Sequence, residues 1–551
     1  MTETRVPVLI IGGGIVGLSA SICLSHHGVH CILIERHSGT SIHPRARSVN
    51  ARTMEIYRSL GIEEAIRQAG STLSPSMGIY TGTSLKEVIE SKPRKEGERK
   101  FSLAGLFTSL SSVTGAWGTQ DMIEPVLLET ARERGVDARF YTECLDVEQD
   151  EDGVTATLHR RDEDIPTYIV RANYLIAADG AGSPIRKRLG VKTSGRGTMG
   201  HLLNILFHAD LKELVRQREF SLCIINRPEV SGLFTAINND DRWVFHLCYD
   251  PSKGEKSEDF TPERCKVLLR IALGIPDIDI DIKSILPWKP SVQVAEKLQH
   301  GRIFLAGDAA HQMPPWAGQG ANSGVADAHN LAWKLAAVLK GDAEPGLLST
   351  YDVERLPVGQ TAAEVSAAAA DERGLITMKK SLSLISSIFQ RLFIISGHGY
   401  TYSSQAIAAE NTFPLGGISW KAWSIPSLAL ALDGRPGSRA PHVWVEHQGK
   451  RISTLDLFGK SFVLLAGSDG EAWCETARKA RTTLNIDIDC YTTGPKGNLT
   501  DPVCQWQTAA GISSQGALLV RPDGFVCLRE RRLPLGYQQK FELVLKQILC
   551  R

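Results

Sequence analysis

Residues 6–11 form an unbroken apolar run that ends in a glycine cluster, which predicts a strand buried on both faces. Residues 14–27 follow with helical patterning and 30–35 with a second apolar run, so the chain opens as a β-α-β unit. Helices are predicted at 52–60 and 125–134. Residues 153–159 and 167–170 alternate apolar and polar positions, as half-buried strands do, and 174–178 is a short apolar run ending at Asp179-Gly180. From 189 to 299 the chain is strand-rich, with strands predicted at 202–209, 222–225, 232–237 and 242–249. Residues 302–306 are again a buried strand, followed by a long helix from Gly320 to Leu339. Loops are predicted at 38–50 and 91–100, the second charged and exposed. The stretch GRPGSRAP at 434–441 marks a boundary. Beyond it, strands at 461–466, 486–490 and 517–520 and a helix at 471–481 predict a separate α/β module. No repeat of fixed period runs through the chain.

Composition narrows the class. The 551 residues carry 62 basic and 61 acidic side chains, a net charge of +1. Hydrophobic residues make up 42%, enough for large cores, so global disorder is excluded. Near-zero charge gives no support to a nucleic-acid or anionic-membrane partner. The acidic start and the glycine cluster argue for a strand at 6–15 and against a signal peptide. Residues 382–395 are apolar but interrupted by Gln390 and Arg391, and fall short of the ~20 residues of a membrane span, so a buried or interface helix is expected, with a monotopic membrane contact as the alternative. Eleven cysteines with no CxxC pair are expected to be reduced, mostly buried thiols, in the cytoplasm.

Three motifs carry chemistry. Gly12, Gly14 and Gly17 form GxGxxG between a strand and a helix, with Glu35 at the end of the next strand. The glycines permit a tight turn, close approach to a pyrophosphate and close helix–strand packing, and the acid suits a ribose hydroxyl. Glu35 followed by Arg36 leaves FAD and NAD both open and disfavours a 2′-phosphate at this site. The second motif decides between them. GDAAHQMPPWAGQGAN, residues 307–322, also joins a strand to a helix. Asp308 suits a polyol chain, Gly318 and Gly320 let a planar ring lie against backbone, and the helix start favours a developing anion such as reduced flavin. The third is Asp179-Gly180, followed by Ser183, Arg186 and Arg188, which alone is a strand–helix turn with an N-cap.

These motifs, in this order, resemble the three fingerprints of the single-component flavin monooxygenases that hydroxylate aromatics. HPRARSVNARTMEIYRSLGI resembles the phenol and dichlorophenol hydroxylase branch, which includes hydroxylases of aromatic polyketides. APHVWV, STLDLFGKSFVLLAG and GALLVRPDGFV resemble the thioredoxin-like module appended to that branch. The implied fold is α/β: a Rossmann-like FAD-binding domain at 1–188 and 300–430, interleaved with a β-sheet substrate domain at 189–299, then a thioredoxin-like module at 431–551. That module lacks CxxC, so a structural or homodimer-forming role is expected of it in place of thiol exchange.

The resemblance implies roles residue by residue. Gly12, Gly14 and Gly17 would hold the FAD diphosphate, Glu35 the adenosine ribose, with Arg36 beside it. Arg45 would contact the diphosphate region, with Arg47 as a competitor across RAR. Gln120 would touch the ribityl chain, Asp179 both flavin and pyridine nucleotide, Asp308 the ribityl or pyrophosphate region, and Gly318, Gly320, Ala321 and Asn322 the isoalloxazine. NAD(P)H would visit the flavin transiently, and no metal is implied. The implied reaction runs through a flavin hydroperoxide formed with O2, whose distal oxygen goes to a phenolic or polyketide-type ring. Baeyer–Villiger or epoxidising chemistry on the same fold is the alternative, with a flavin-binding interaction protein or a flavin dehydrogenase behind it. A base or charge partner for the phenol is expected from the strand-rich middle. His246, Tyr249 and Arg242 are the candidates, with Asn204 nearby. His246 and Tyr249 are three positions apart and would face opposite sides of a regular strand. His311 and Trp316 are alternative pocket-lining residues.

Overall fold

The computed structural model describes residues 3–73, 78–93, 110–162, 167–315, 318–371, 373–376, 397–409 and 433–551. Its first sheet is built on the opening β-α-β unit. Strand Glu3–Ile11 pairs in parallel with Cys31–Ile34 on one side and Tyr168–Ala177 on the other. Ile303–Leu305 joins the far edge of Tyr168–Ala177, also in parallel. The two expected strands at 167–170 and 174–178 are thus one ten-residue strand. Helices Ile15–His26, Gln120–Glu133 and Gln319–Lys340 contribute Leu18, Leu127 and Leu331 to the core against this sheet.

Helix Gln120–Glu133 begins five residues before the expected start at 125, with Pro125 inside it. Proline suits a helix start, which is why the sequence points there. As the sixth residue it forfeits one intrahelical bond, and the extra turn puts Gln120 and Asp121 on ordered backbone.

The second sheet runs Asp281–Trp288, Leu202–His208, Arg242–Cys248, Val230–Ala236, Leu222–Arg227 and Ile79–Gly82. Its strands are antiparallel except for Ile79–Gly82 against Leu222–Arg227. Ile79–Gly82 comes from far upstream of the strand-rich middle, and helix Leu85–Glu90 behind it fills the same core with Leu85, Val88 and Ile89. This segment belongs with the second sheet and not with the first. A small third sheet, Thr193–Thr198, Ser291–Ala295 and His311–Gln312, links the two.

The C-terminal residues form a mixed sheet of seven strands among the described residues, with helices Glu471–Leu484 and Tyr537–Ile548 packed on it. A fully buried ionic network fixes it to the rest. The Glu354 carboxylate accepts hydrogen bonds from Arg521 at 2.6 and 2.9 Å and from Lys334 at 2.8 Å, and Arg521 also pairs with Asp523. Burial pushes the Lys334 ammonium down to about 8 although Glu354 opposes it. Cys474 and Cys490 are joined by a disulfide, which overturns the expectation that all eleven cysteines are thiols. A helix and its neighbouring strand bring two cysteines 16 residues apart together, a pairing that no CxxC spacing announces. Thiol titration of the unfolded chain is expected to count nine groups before reductant and eleven after. Eleven before reductant would remove the bond.

No helix among the described residues is long and apolar enough to cross a membrane, and residues 382–395 lie outside them.

Several histidines are buried and held neutral. Burial pushes His27 down to about 3, with His26, His329, Lys340 and Lys460 adding to it, and lowers His329 and His398 as well. The unfolded chain takes up protons near pH 6.5, where these folded sites cannot. The unfolded state then binds more protons, so stability falls as pH drops below that value. His27 is expected to cost roughly 1–2 kcal/mol by about pH 5, and His329 and His398 act in the same direction. Melting temperatures compared between about pH 7.5 and pH 5 should fall accordingly; a flat profile would contradict the burial of neutral imidazoles.

Candidate functional site

The first sheet ends at the glycine turn. Gly12 has φ +109, and a Cβ there would fall 2.2 Å from the Ala178 carbonyl oxygen. A Cβ on Gly17 would fall 1.9 Å from the Gly12 carbonyl oxygen, so its absence lets helix Ile15–His26 seat on the turn. Gly14 differs. A Cβ there would meet only Glu124 Oε1, at 3.4 Å. Its smallness serves the open space before the turn, where a helix N-terminus favours a diphosphate.

Carboxylates brace this turn. Glu35 accepts the Gly13 N–H at 2.7 Å and the His37 N–H at 2.9 Å. Arg36 beside it is exposed. Glu124, buried on helix Gln120–Glu133, accepts the Ile15 N–H at 3.1 Å, the Ser41 N–H at 2.7 Å and the Gln120 amide at 2.6 Å. Burial pushes its carboxyl upward. Nothing in the sequence singles out Glu124, since a lone acid on a helix reads as a solvated one.

The other two motifs meet the first. Asp179 accepts the Ser183 hydroxyl at 2.6 Å and the Ile185 N–H at 3.2 Å. Arg186 donates to the carbonyls of Ala309 at 2.7 Å and Ala181 at 2.9 Å, tying the DG loop to the GD loop. Arg188 points elsewhere, to Asp146. Asp308 is accessible, yet walled closely enough that burial pushes its carboxyl up, opposed by His311, Arg45 and Arg186. An accessible group within protein walls lines a recess. Gly320 lies over it: a Cβ there would sit 3.7 Å from Asp308 Oδ1. Gly318 starts helix Gln319–Lys340 with φ +62, and Ala321 is half-buried on its first turn. Asn322 bonds the Gly318 carbonyl at 2.6 Å and accepts the Asn50 N–H at 3.0 Å. Arg45 acts on Asp308, whereas Arg47 turns away, donating to the Ile237 carbonyl at 3.4 Å with its guanidinium over Trp117. Trp316 lies outside the described residues.

His311 does not line the recess. It is fully buried, and its Nε2 meets Asp327 at 2.7 Å. Asp327 also accepts from Arg355 at 2.7 Å and from the Gly307 N–H at 3.1 Å, so one carboxylate anchors the GD loop from behind. Burial pushes Asp327 up, but His311 and Arg355 outweigh it and hold the carboxyl below its ordinary value.

The second sheet turns one face toward the recess. His246 stands on it between Asn204 and Thr235, its Nδ1 2.6 Å from Asn204 Oδ1 and its Nε2 3.0 Å from Thr235 Oγ1. Both nitrogens are engaged, so His246 is no ready base. Burial, with His43 and Arg45, pushes it down to about 3. Tyr249 is not in the site at all: it packs on the opposite face against Phe260 and His201. Arg242 shares the His246 face, but its guanidinium pairs with Asp121, clamping the sheet to helix Gln120–Glu133. Around these polar groups the face is apolar, with Leu206, Ile237 and Val244 to one side and Leu202, Ile224 and Leu233 to the other.

Between recess and sheet lie three buried polar groups with no hydrogen-bond partner among the described residues: both ring nitrogens of His43, Thr119 Oγ1 and Asp121 Oδ1. Each such orphan costs about 1–3 kcal/mol until something bonds it. His43 is 3% exposed, and burial together with Arg45 pushes it down to about 4. The sequence contains it, in HPRAR, but a histidine two residues before an arginine carries no signal of its own. The glycine turn, Asp308 in its recess and these orphans fit a bound dinucleotide flavin and a second ligand beside it. Among the described residues no cluster of side chains is arranged to hold a metal ion.

Known proteins match the whole chain. The FAD binding domain family matches residues 5–366, and the aromatic-ring hydroxylase C-terminal family matches 433–551. The chain is 38% identical over 570 residues to a tetracenomycin A2 monooxygenase-dioxygenase of Streptomyces glaucescens, covering 100% of this chain and 98% of that one. Its fold matches an aklavinone-11 hydroxylase solved with FAD and aklavinone at a TM-score of 0.86 and 34% identity, covering 100% of both chains. It matches the flavin-dependent monooxygenase PieE, solved with FAD and substrate, at a TM-score of 0.83 and 31% identity, covering 99% of both.

Proposed function

Because the chain belongs to the FAD-binding aromatic-ring hydroxylases, we propose that it hydroxylates a polycyclic phenol of polyketide type at the expense of NAD(P)H and O2. The protein is an FAD-dependent monooxygenase. The observation that carries the substrate class is the sheet face. It sets one polar spot, Asn204, Thr235 and His246, between two buried apolar clusters, next to the flavin recess. Fused rings suit such apolar surroundings, and their hydroxyl and carbonyl groups suit the spot.

FAD, when bound, supplies the redox chemistry with hydride and O2. The chain's own residues bind and orient. Gly12, Gly14 and Gly17 and the start of helix Ile15–His26 would take the diphosphate, with Glu35 at the ribose end and Arg36 outside it. Arg45, Gln120, Asp179 and Asp308 would flank the ribityl chain and diphosphate. Gly318, Gly320, Ala321 and Asn322 would lie along the ring. Arg242 and Asp121 would hold the sheet against the flavin side, closing the site to water. We read the C-terminal sheet as a thioredoxin-like module whose task is structural, since its one cysteine pair ties a helix to a strand.

The holoenzyme is expected to oxidise NAD(P)H faster when 1,3,8-trihydroxyanthraquinone is added, and to yield a product heavier by one oxygen. Stimulation by simple phenols but by no fused-ring phenol would refute the substrate class.

A further inference from the structure

We propose that His43 is a catalytic residue that receives the reacting phenolic hydroxyl of the substrate and takes its proton. The inference rests on the phenolic substrate proposed above and adds the group that handles its proton. His43 sits where two surfaces meet, on the loop that carries Arg45 and against the sheet that carries His246. Its main chain is pinned by Ser41 and by the Arg45 N–H, 2.8 Å from the His43 carbonyl oxygen, and Pro44 restricts the next turn. The imidazole is therefore placed and buried while both nitrogens stay without a partner among the described residues. A neutral imidazole offers one donor and one acceptor, which is what a hydroxyl on a quinone-like ring can satisfy. Two of the strand candidates are excluded by geometry: His246 is held on both nitrogens, and Tyr249 faces the other side of the sheet.

Four groups act on or around this ring: Arg45 from its own loop, Asp121 from helix Gln120–Glu133, and Arg242 and His246 from strand Arg242–Cys248. Burial and the two arginines keep the imidazole unprotonated, against Asp121, so it meets substrate as an acceptor. In the step, the substrate O–H bond breaks and an N–H bond forms on His43. The substrate keeps the electron pair as phenolate, and His43 becomes imidazolium. Arg45 and Arg242 favour the phenolate and disfavour the imidazolium, so His43 passes the proton on to water and returns to its neutral form. Electron density on the ring rises where oxygen is to be added.

The test uses the FAD-loaded enzyme and 1,3,8-trihydroxyanthraquinone, whose visible absorption moves to the red on ionisation. Bound to the wild-type enzyme, the dye is expected to ionise about one pH unit lower than in water. His43→Ala should bind it roughly tenfold more weakly and lose that shift, with FAD content unchanged. His43→Asn keeps a donor and an acceptor, so it should regain most of the affinity but not the shift. It also serves if the alanine variant fails to fold. Equal affinity and an equal shift in both variants would overturn the proposal, as would a loss of FAD or stability with the shift intact, which is the mark of a structural residue. A wild-type enzyme that binds no dye would overturn the substrate class, and the role of His43 with it.

Discussion

Asp327→Asn is expected to cost about 3–5 kcal/mol of stability and to loosen the loop that carries Asp308. Asp327 is fully buried and meets three donors: Arg355, His311 and the Gly307 N–H. Asparagine keeps the shape but loses the charge, leaving the fully buried Arg355 cation with neutral partners, among them the Tyr402 hydroxyl and the Ser323 carbonyl. A cation without its counter-ion in such a place is among the more costly defects a core can hold. The amide also turns an N–H group toward one of the donors. Urea unfolding followed by fluorescence, together with the flavin-to-protein absorbance ratio, measures both effects. An unfolding midpoint and a flavin content equal to wild type would mean that the loop is held by something else.

The glycine turn gives the second large effect, and it separates packing from ligand contact. In Gly17→Ala the new methyl would overlap the Gly12 carbonyl, and backbone cannot swing aside as a side chain can. Helix Ile15–His26 must lift from the sheet, and FAD affinity is expected to fall by on the order of 100-fold or more, with loss of stability. In Gly14→Ala the methyl enters open space, with Glu124 at ordinary contact distance, and the helix N-cap backbone is compatible with alanine. The apoprotein should therefore be as stable as wild type while FAD binds markedly more weakly, because the methyl would occupy the place proposed for the diphosphate. Calorimetric FAD titration of both variants decides this. A Gly14→Ala protein that binds FAD normally would move the diphosphate away from the turn.

What the sequence discloses and what it hides divide along physical lines. The β-α-β unit, the GD strand–loop–helix and the strands of the middle region are legible because apolar periodicity and glycine spacing are local. Helix Gln319–Lys340 begins within a residue of its expected start, since Gly318 in the left-handed region marks it. Ile79–Gly82 is not legible as part of the second sheet, because its partner Leu222–Arg227 lies well over a hundred residues away. The same distance hides the ion pairs. Glu354, Lys334 and Arg521 read as solvated surface charges until the C-terminal sheet covers them. The disulfide is hidden for the same reason: Cys474 and Cys490 meet only once helix and strand pack. In the site, glycines and strand-end acids show themselves by spacing. His43, Asp121 and Glu124 do not, since what sets them apart is burial and the partners they have or lack. Tyr249 misleads because tyrosine near a site suggests chemistry, and only the alternation of the strand places it on the other face.

Oxygen-isotope tracing decides whether this chain is a monooxygenase acting on a fused-ring phenol. The FAD-loaded enzyme is supplied with NAD(P)H, 1,3,8-trihydroxyanthraquinone and 18O2, and the product is weighed by mass spectrometry. The product's new ring oxygen is expected to be 18O, with one such atom for each NAD(P)H oxidised. A product oxygen drawn from water, or NAD(P)H oxidation whose electrons end wholly as hydrogen peroxide, would contradict it.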